Sequence, residues 1–112
     1  MPFTTPRHSV LGEIYLCQFP FASGVAGKMR PALVLFDLQH DAVICRVTSV
    51  FHSGILDITQ NDWQQAGLLK PSVARLDRLV TAERNIFLKR LGIVSGRELA
   101  AIKTAWNQYM RL

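Results

Sequence analysis

Three short groups of polar residues in this 112-residue chain could act together on an anionic substrate. Arg30 belongs to the first group and directly precedes Pro31, and a proline biases the residue before it toward extended backbone. Arg30 also lies between a glycine-containing stretch and the apolar run 31–36, so we expect its cation at the mouth of a buried strand. A guanidinium held there suits an anion such as a phosphate. The alternative is an ordinary surface arginine.

The second and third groups lie on predicted strands. Arg46 and Thr48 fall on one side of a strand because side chains alternate with a period of two, and Ser49 follows them. Arg75 and Asp77 share a strand face for the same reason. Threonine is also a common strand former, and the arginine and aspartate could equally be a surface ion pair, which contributes little to stability.

Converging in one groove, these groups would meet the needs of metal-free RNA cleavage. The 2′-hydroxyl of RNA can attack its own phosphate if a base takes its proton, a cation holds the added negative charge and an acid protonates the leaving oxygen. The same requirement would explain indifference to DNA, which lacks that hydroxyl.

The sequence predicts no metal site and no cofactor. The three histidines and two cysteines show no ligand spacing, and no phosphate loop, dinucleotide fingerprint or nucleophile elbow is present. We interpret Cys17 and Cys45 as small buried hydrophobic residues of a reducing compartment. The N-terminus lacks the apolar region of a secretory signal and no apolar run could cross a bilayer, so the expected location is the cytoplasm, without membrane partners.

The net charge of +5 is unevenly distributed along the chain. Residues 70–112 carry nine basic and three acidic side chains, whereas residues 1–69 carry four basic and five acidic ones. A basic surface attracts nucleic acid or an acidic protein, and charge alone does not separate these from a solvated basic face.

The pattern of apolar residues predicts a mainly β protein with a C-terminal helix, as a single domain over 1–112 that includes an N-terminal extension at 1–10. The predicted strands and extended segments are 12–19, 31–36, 42–50, 55–58, 72–76 and 85–93, with a loop at 21–28 and one helical turn at 61–67. Such short strands with one amphipathic helix suggest a small barrel.

The helix is predicted over 95–112. Ser95 and Glu98 form a capping-box pattern, in which each side chain satisfies an amide of the first turn. Its apolar face comprises Leu99, Ile102, Trp106, Tyr109 and Met110. The strand at 12–19 is apolar on both faces, so the helix or a second subunit has to cover one of them, which favours a homodimer.

Five motifs along the chain resemble one known family. They are Gly12-Glu13-Ile14 leading to Phe19-Pro20-Phe21, Lys28-x-Arg30-Pro31-Ala32-Leu33-Val34, Arg46-Val47-Thr48-Ser49, Ala66-Gly67-Leu68-Leu69-Lys70-Pro71-Ser72 and Leu91-Gly92. With them, the chain from Leu11 to Leu112 resembles the MazF/PemK-type toxins, which are ribosome-independent endoribonucleases of type II toxin–antitoxin pairs.

This resemblance implies an SH3-like (PemK/MazF/CcdB-like) barrel that dimerises, binds single-stranded RNA and is blocked by an acidic antitoxin. It implies that Arg30 and Thr48 hold the phosphate, that Asp77 takes the 2′-hydroxyl proton and that Arg75 assists the leaving group. Further RNA-binding residues would be Lys28, Ser49, His52 and Phe21. Some family members carry a histidine in the first loop; residues 21–28 have none, and Lys28 or His52 could replace it.

Two other functions stay open. A CcdB-like gyrase poison shares the fold but acts through its C-terminal helix, where Trp106 lies. Arg30 argues against it, because a gyrase binder needs no anion site between its first strands. The other alternative is a non-catalytic SH3-like module that only binds nucleic acid or a peptide.

Overall fold

The described residues of the protein form a six-stranded antiparallel sheet followed by one helix. The computed structural model describes residues 9–19 and 28–112. Its elements in chain order are β1 (Glu13–Phe19), β2 (Lys28–Asp37), β3 (Asp41–Thr48), β4 (Asp57–Gln60), β5 (Ser72–Glu83), a 3₁₀ turn (Arg84–Ile86), β6 (Phe87–Ile93) and α1 (Gly96–Tyr109). The strand order in the sheet is β4-β5-β3-β2-β1-β6, so the last strand lies beside the first. The predicted fold class is confirmed.

Two strands are longer than the sequence predicted. β2 begins at Lys28, three residues before the predicted strand, because residues 28–30 continue the pairing with β1. Arg30 therefore lies within the strand. β5 runs on to Glu83 rather than ending at residue 76, and its register against β3 is interrupted where Arg46 pairs with Arg75 and the preceding Cys45 pairs with Leu79. This β-bulge breaks the two-residue alternation on which strand prediction depends.

Apolar residues fill two cores, one on each face of the sheet. Ile14 of β1 belongs to the first core, which also contains Leu33, Val47 and the helix residue Ile102. Tyr15 belongs to the second, which is formed by these residues: Tyr15, Cys17, Ala32, Val34, Ala42, Ile44, Ala82 and Phe87. Both faces of β1 are thus covered within one chain. Of the two coverings expected for this strand, the helix packs on one face through Ile102, and on the other face Phe87 of β6 stacks on Tyr15 with ring centroids 4.9 Å apart.

The helix cap follows the predicted pattern only in part. The hydroxyl of Ser95 accepts a hydrogen bond from the amide of Glu98 at 3.2 Å, as predicted. The Glu98 carboxylate, however, accepts from the distant amide of Asp62 at 2.9 Å. Asp62 in turn accepts from the Ser95 hydroxyl and from Arg97. These bonds, that from Ser95 first, hold the pKa of Asp62 below its ordinary value and tie the start of α1 to the segment after β4.

The apolar face of α1 is narrower than predicted. Ile102 and Ala105 are buried, and Leu99 and Trp106 pack against the first core. Tyr109, assigned to this face by its spacing, is 46% exposed. No helix within residues 9–19 and 28–112 has the length and apolar character needed to cross a membrane.

The motif residues Gly67 and Gly92 bring two stretches of backbone into direct contact. Gly67 has a φ of +80°, in the left-handed region that favours glycine, and a Cβ there would overlap the carbonyl oxygen of Leu91. A Cβ on Gly92 would lie 2.6 Å from the carbonyl group of Ala66. The helical turn after β4 can therefore pack on β6 only when both residues lack a side chain.

Candidate functional site

Arg30 and Thr48 lie at neighbouring positions on the same face of the sheet. The β2–β3 ladder pairs Ala32 with Arg46, and this register carried on by two residues places Arg30 opposite Thr48. Ala32 and Ile44 both belong to the second core, so strand alternation directs Arg30 and Thr48 toward that same face. The ladder stops beside Pro31, which has no amide hydrogen to continue it. The two predicted phosphate-binding residues thus flank the point where β2 and β3 cease to pair.

The hydroxyl of Thr48 keeps its proton available for a ligand. Its oxygen accepts a hydrogen bond from the amide of Val50 at 3.1 Å, which leaves the hydroxyl hydrogen free to be donated. The same bond fixes the start of the loop 49–56, whose first residue, Ser49, is exposed. Lys28, two residues before Arg30 on β2, is also exposed and shares its face by alternation.

Arg75 joins the site through partners that the sequence did not suggest. It pairs with Arg46 across β3–β5 and with Asp57 across β4–β5. Its Nε donates to Oδ1 of Asp57 at 3.0 Å, and its Nη1 lies 3.5 Å from Nε2 of His52. The structure therefore brings His52 next to Arg75, which the sequence left open.

The surface ion pair considered for Arg75 and Asp77 is wrong. Within residues 9–19 and 28–112, the only ion pair of Arg75 is with Asp57. Asp77 is exposed and lies where the β5 register shifts, and its charge acts on the thiol of Cys45. It remains two residues along the strand from Arg75. Phe21, the other predicted RNA-binding residue, lies outside the described residues, as does most of the N-terminal extension.

Asp57 is the site residue that sequence analysis missed. Its side chain is only 4% exposed, and its second oxygen accepts from the amide of Gly54 at 2.8 Å. Burial acts to raise the pKa of this carboxyl, but the hydrogen bonds from Arg75 and Gly54 and the charges of Arg75 and His52 outweigh it, so the pKa lies below its ordinary value. Asp57 therefore holds the loop 49–56 and the Arg75 guanidinium in one arrangement.

The sequence matches a family model over residues 11–110, described as "PemK-like, MazF-like toxin of type II toxin-antitoxin system". The chain belongs to this toxin family. No curated protein matches the chain significantly.

Similar solved structures support the fold of the toxin. An endoribonuclease from a mycobacterial species superposes with a TM-score of 0.71 at 16% identity, covering 96% of this chain and 92% of the other. MazF from Deinococcus radiodurans superposes with a TM-score of 0.69 at 21% identity, and the match covers 94% of this chain and 97% of the other. A MazE–MazF structure from the same organism superposes with a TM-score of 0.72 at 19% identity, and the match again covers 94% of this chain and 97% of the other.

Ion pairs redistribute the charge of the toxin. Among the described residues, four pairs join an acid of residues 1–69 to an arginine of residues 70–112; they are Asp57–Arg75, Asp37–Arg84, Glu13–Arg90 and Asp62–Arg97. The basic excess of the second part is therefore largely neutralised by the first. Arg30 and Arg46, both from the first part, have no such partner in the part of the chain that the structure describes.

The two cysteines of the toxin are buried, unreactive thiols. Cys17 and Cys45 are buried, and burial raises the pKa of each thiol to about 12, with the charge of Asp77 adding to the effect at Cys45. A thiol with such a pKa is neither a nucleophile nor a ready metal ligand at neutral pH. In residues 9–19 and 28–112, no three His, Cys, Asp or Glu side chains are grouped to hold a metal ion.

The variant Asp57→Asn is expected to lower the free energy of unfolding by about 2 kcal/mol at neutral pH, because a hydrogen-bonded charge is lost beside Arg75. The pKa of Asp57 is lower in the folded state than its ordinary value of 3.8. The stability that the ionised carboxylate contributes is therefore present above pH 3.8 and is lost as the pH falls through the pKa of the folded state. Urea unfolding at several pH values measures the free energy of unfolding of the parent and of the variant. The control Asp41→Asn should change little, and an equal loss in both variants would contradict the role given to Asp57.

Proposed function

We propose that this toxin is an endoribonuclease that cuts single-stranded RNA, including mRNA, without a metal ion. The attacking 2′-oxygen forms a bond to phosphorus while the bond from phosphorus to the 5′-oxygen breaks, which leaves a 2′,3′-cyclic phosphate and a 5′-hydroxyl. The proposal rests on the β2–β3 register, which, extended by two residues beyond its last pair Ala32–Arg46, sets Arg30 opposite Thr48, in the row of residues next to Arg75. Family membership and the similarity to a mycobacterial endoribonuclease support it.

Arg30 and Thr48 would hold the scissile phosphate. The guanidinium offers paired donors to two phosphate oxygens, and the Thr48 hydroxyl, whose oxygen already accepts from Val50, can donate one more bond. Charge grows on these oxygens as the 2′-oxygen attacks, so donors placed in advance stabilise the transition state more than the ground state.

Proton transfer would fall to Asp77 and His52. In this scheme Asp77 takes the proton of the attacking 2′-hydroxyl, and His52 protonates the departing 5′-oxygen. Imidazole is a common proton donor at neutral pH, and Nε2 of His52 lies 3.5 Å from Nη1 of Arg75. An arginine keeps its proton in proteins, so Arg75 would stabilise charge on the leaving group rather than supply the proton.

The proposed partners are an acidic antitoxin and a second copy of the chain. One similar structure is an endoribonuclease in complex with its cognate antitoxin, and another contains MazE with MazF. The face with Arg30 and Arg46 suits an acidic segment by charge. Cleavage of mRNA places the action in the cytoplasm.

A gyrase poison fits the structure less well. Trp106, the residue that could have served such a helix, packs edge-to-face on Phe36 with ring centroids 5.3 Å apart, and it contacts the first core. Its ring therefore serves the attachment of the helix to the sheet.

Incubation of the purified protein with single-stranded RNA in excess chelator tests the proposal. We expect fragments that end in a 2′,3′-cyclic phosphate and begin with a 5′-hydroxyl, and no cuts in a DNA copy of the same sequence. Intact RNA together with stalled gyrase would favour the poison, and binding of RNA without either effect would favour a non-catalytic module.

A further inference from the structure

Two neighbouring rows of residues cross the sheet on the face of the candidate site. The first row contains Arg30 and Thr48, which the β2–β3 register brings opposite each other when it is extended by two residues beyond the pair Ala32–Arg46. The second contains Arg46 and Arg75, which are direct partners across β3 and β5, followed by Asp57 on β4. The first row thus carries one arginine, and the second carries two.

Arg46 is the arginine of its row whose charge no described acidic residue balances. The charge of Arg75 is balanced by Asp57 at 3.0 Å, whereas Arg46 is exposed and has no ion-pair partner within residues 9–19 and 28–112. Like charges directly opposite each other in a sheet destabilise it. An anion bound between Arg46 and Arg75 would remove this cost, so the pair is suited to a negatively charged ligand.

The separation of the two rows matches a repeating ligand. Arg46 and Thr48 are two residues apart on β3, so their positions differ by about 6.6 to 6.8 Å along the strand. This distance is comparable to the spacing of successive phosphates in an extended single strand. A phosphate at Arg30 and Thr48 would therefore place the next phosphate of the same strand near Arg46.

We propose that Arg46 binds the phosphate adjacent to the scissile one, so that the site holds two consecutive phosphates of one RNA strand. The inference rests on the proposed function and makes it more specific. The substrate is a polynucleotide, and a dinucleotide with a single phosphate cannot use the second row. Arg46 is a binding residue for the substrate and takes no part in proton transfer.

Salt-dependent binding of the variant Arg46→Gln tests this proposal without depending on cleavage. The probe is a 2′-O-methyl RNA oligonucleotide, which lacks the attacking hydroxyl, and anisotropy gives its Kd at several salt concentrations. Each phosphate contact to a single strand adds about 0.7 to the slope of log K against log salt, so the variant should lose about 0.7. We also expect Kd to rise roughly tenfold at low salt, as for one lost charge-assisted contact.

The control Arg111→Gln removes an exposed arginine at the end of the chain and should leave the slope unchanged. In the absence of RNA, Arg46→Gln should unfold at the same or a higher temperature, because the opposition to Arg75 is relieved; a lower temperature would mean that Arg46 serves the fold and would overturn the proposal. An unchanged slope would also overturn it, even if the parent cuts RNA. If the parent fails to cut RNA but the slope still falls, the binding site stands and the proposed catalysis fails.

Discussion

The variant Arg30→Ala is expected to cut RNA about 100- to 1,000-fold more slowly than the parent, the usual effect of removing one donor that stabilises transition-state charge. Arg30 is half-buried on β2 and forms no ion pair with another described residue, so its loss leaves no unpaired charge behind. The sheet should therefore stay folded. Single-turnover cleavage of a labelled oligonucleotide measures the rate, and circular dichroism checks the fold.

Arg30→Lys provides a second measurement at the same position. A lysine keeps the charge but not the planar fork that binds two phosphate oxygens, so its rate should fall between those of the parent and the alanine variant. If Arg30→Ala cuts RNA at the rate of the parent, the phosphate site lies elsewhere, even though the family assignment remains.

The variant Gly67→Ala is expected to lose about 3 kcal/mol of folding free energy or more. Its φ of +80° costs an L residue about 1–2 kcal/mol, and the added methyl group overlaps the Leu91 carbonyl, which adds a further cost of about 1–3 kcal/mol from forced backbone shifts. Stability curves in urea, monitored by tryptophan fluorescence, measure the loss.

Gly96→Ala is the matched control because it changes the same residue type where space is open. Nothing lies within 4 Å of a Cβ built at Gly96, the first residue of α1. Alanine is the better helix former, so this variant should gain up to about 1 kcal/mol. Equal stability of the two variants would contradict the close backbone contact described for Gly67.

Local patterns were enough to predict the strand positions of several candidate-site residues. Alternation with a period of two placed Arg46 and Thr48 on one side of β3, and the proline after Arg30 correctly indicated extended backbone there. The cap of α1 was predicted at Ser95 because the bond from Glu98 spans only three residues. These features depend on neighbours in the chain, which a sequence displays directly.

Features that depend on distant partners were missed. Asp57 gave no signal because its role is set by Arg75, 18 residues away, on a different strand. Glu98 fits a capping box locally, yet the amide of Asp62, 36 residues earlier, uses its carboxylate instead. The end of β5 was missed because the bulge at its pairing with β3 shifts the apolar pattern, and Leu79 and Val80 beyond it are partly exposed.

The charge distribution along the chain was a poor guide to the surface. The second part of the sequence has the basic excess, which suggested a basic surface for nucleic acid or an acidic protein, or a solvated basic face. Four of its arginines instead pair with acids of the first part. Among the described residues, the arginines of the candidate site that have no ion-pair partner, Arg30 and Arg46, come from the part of the chain whose acidic and basic residues nearly balance.

The position of β6 beside β1 also affects when the protein can become active during synthesis. A nascent chain still lacking Phe87–Ile93 would leave one edge of β1 without a partner, and the bond from Arg90 to Glu13 spans 77 residues. Folds with such distant pairings form slowly, because the loop must close before any contact compensates for its entropy. Ribosomes translating this message therefore have to release the chain as far as Ile93 before an active toxin can form.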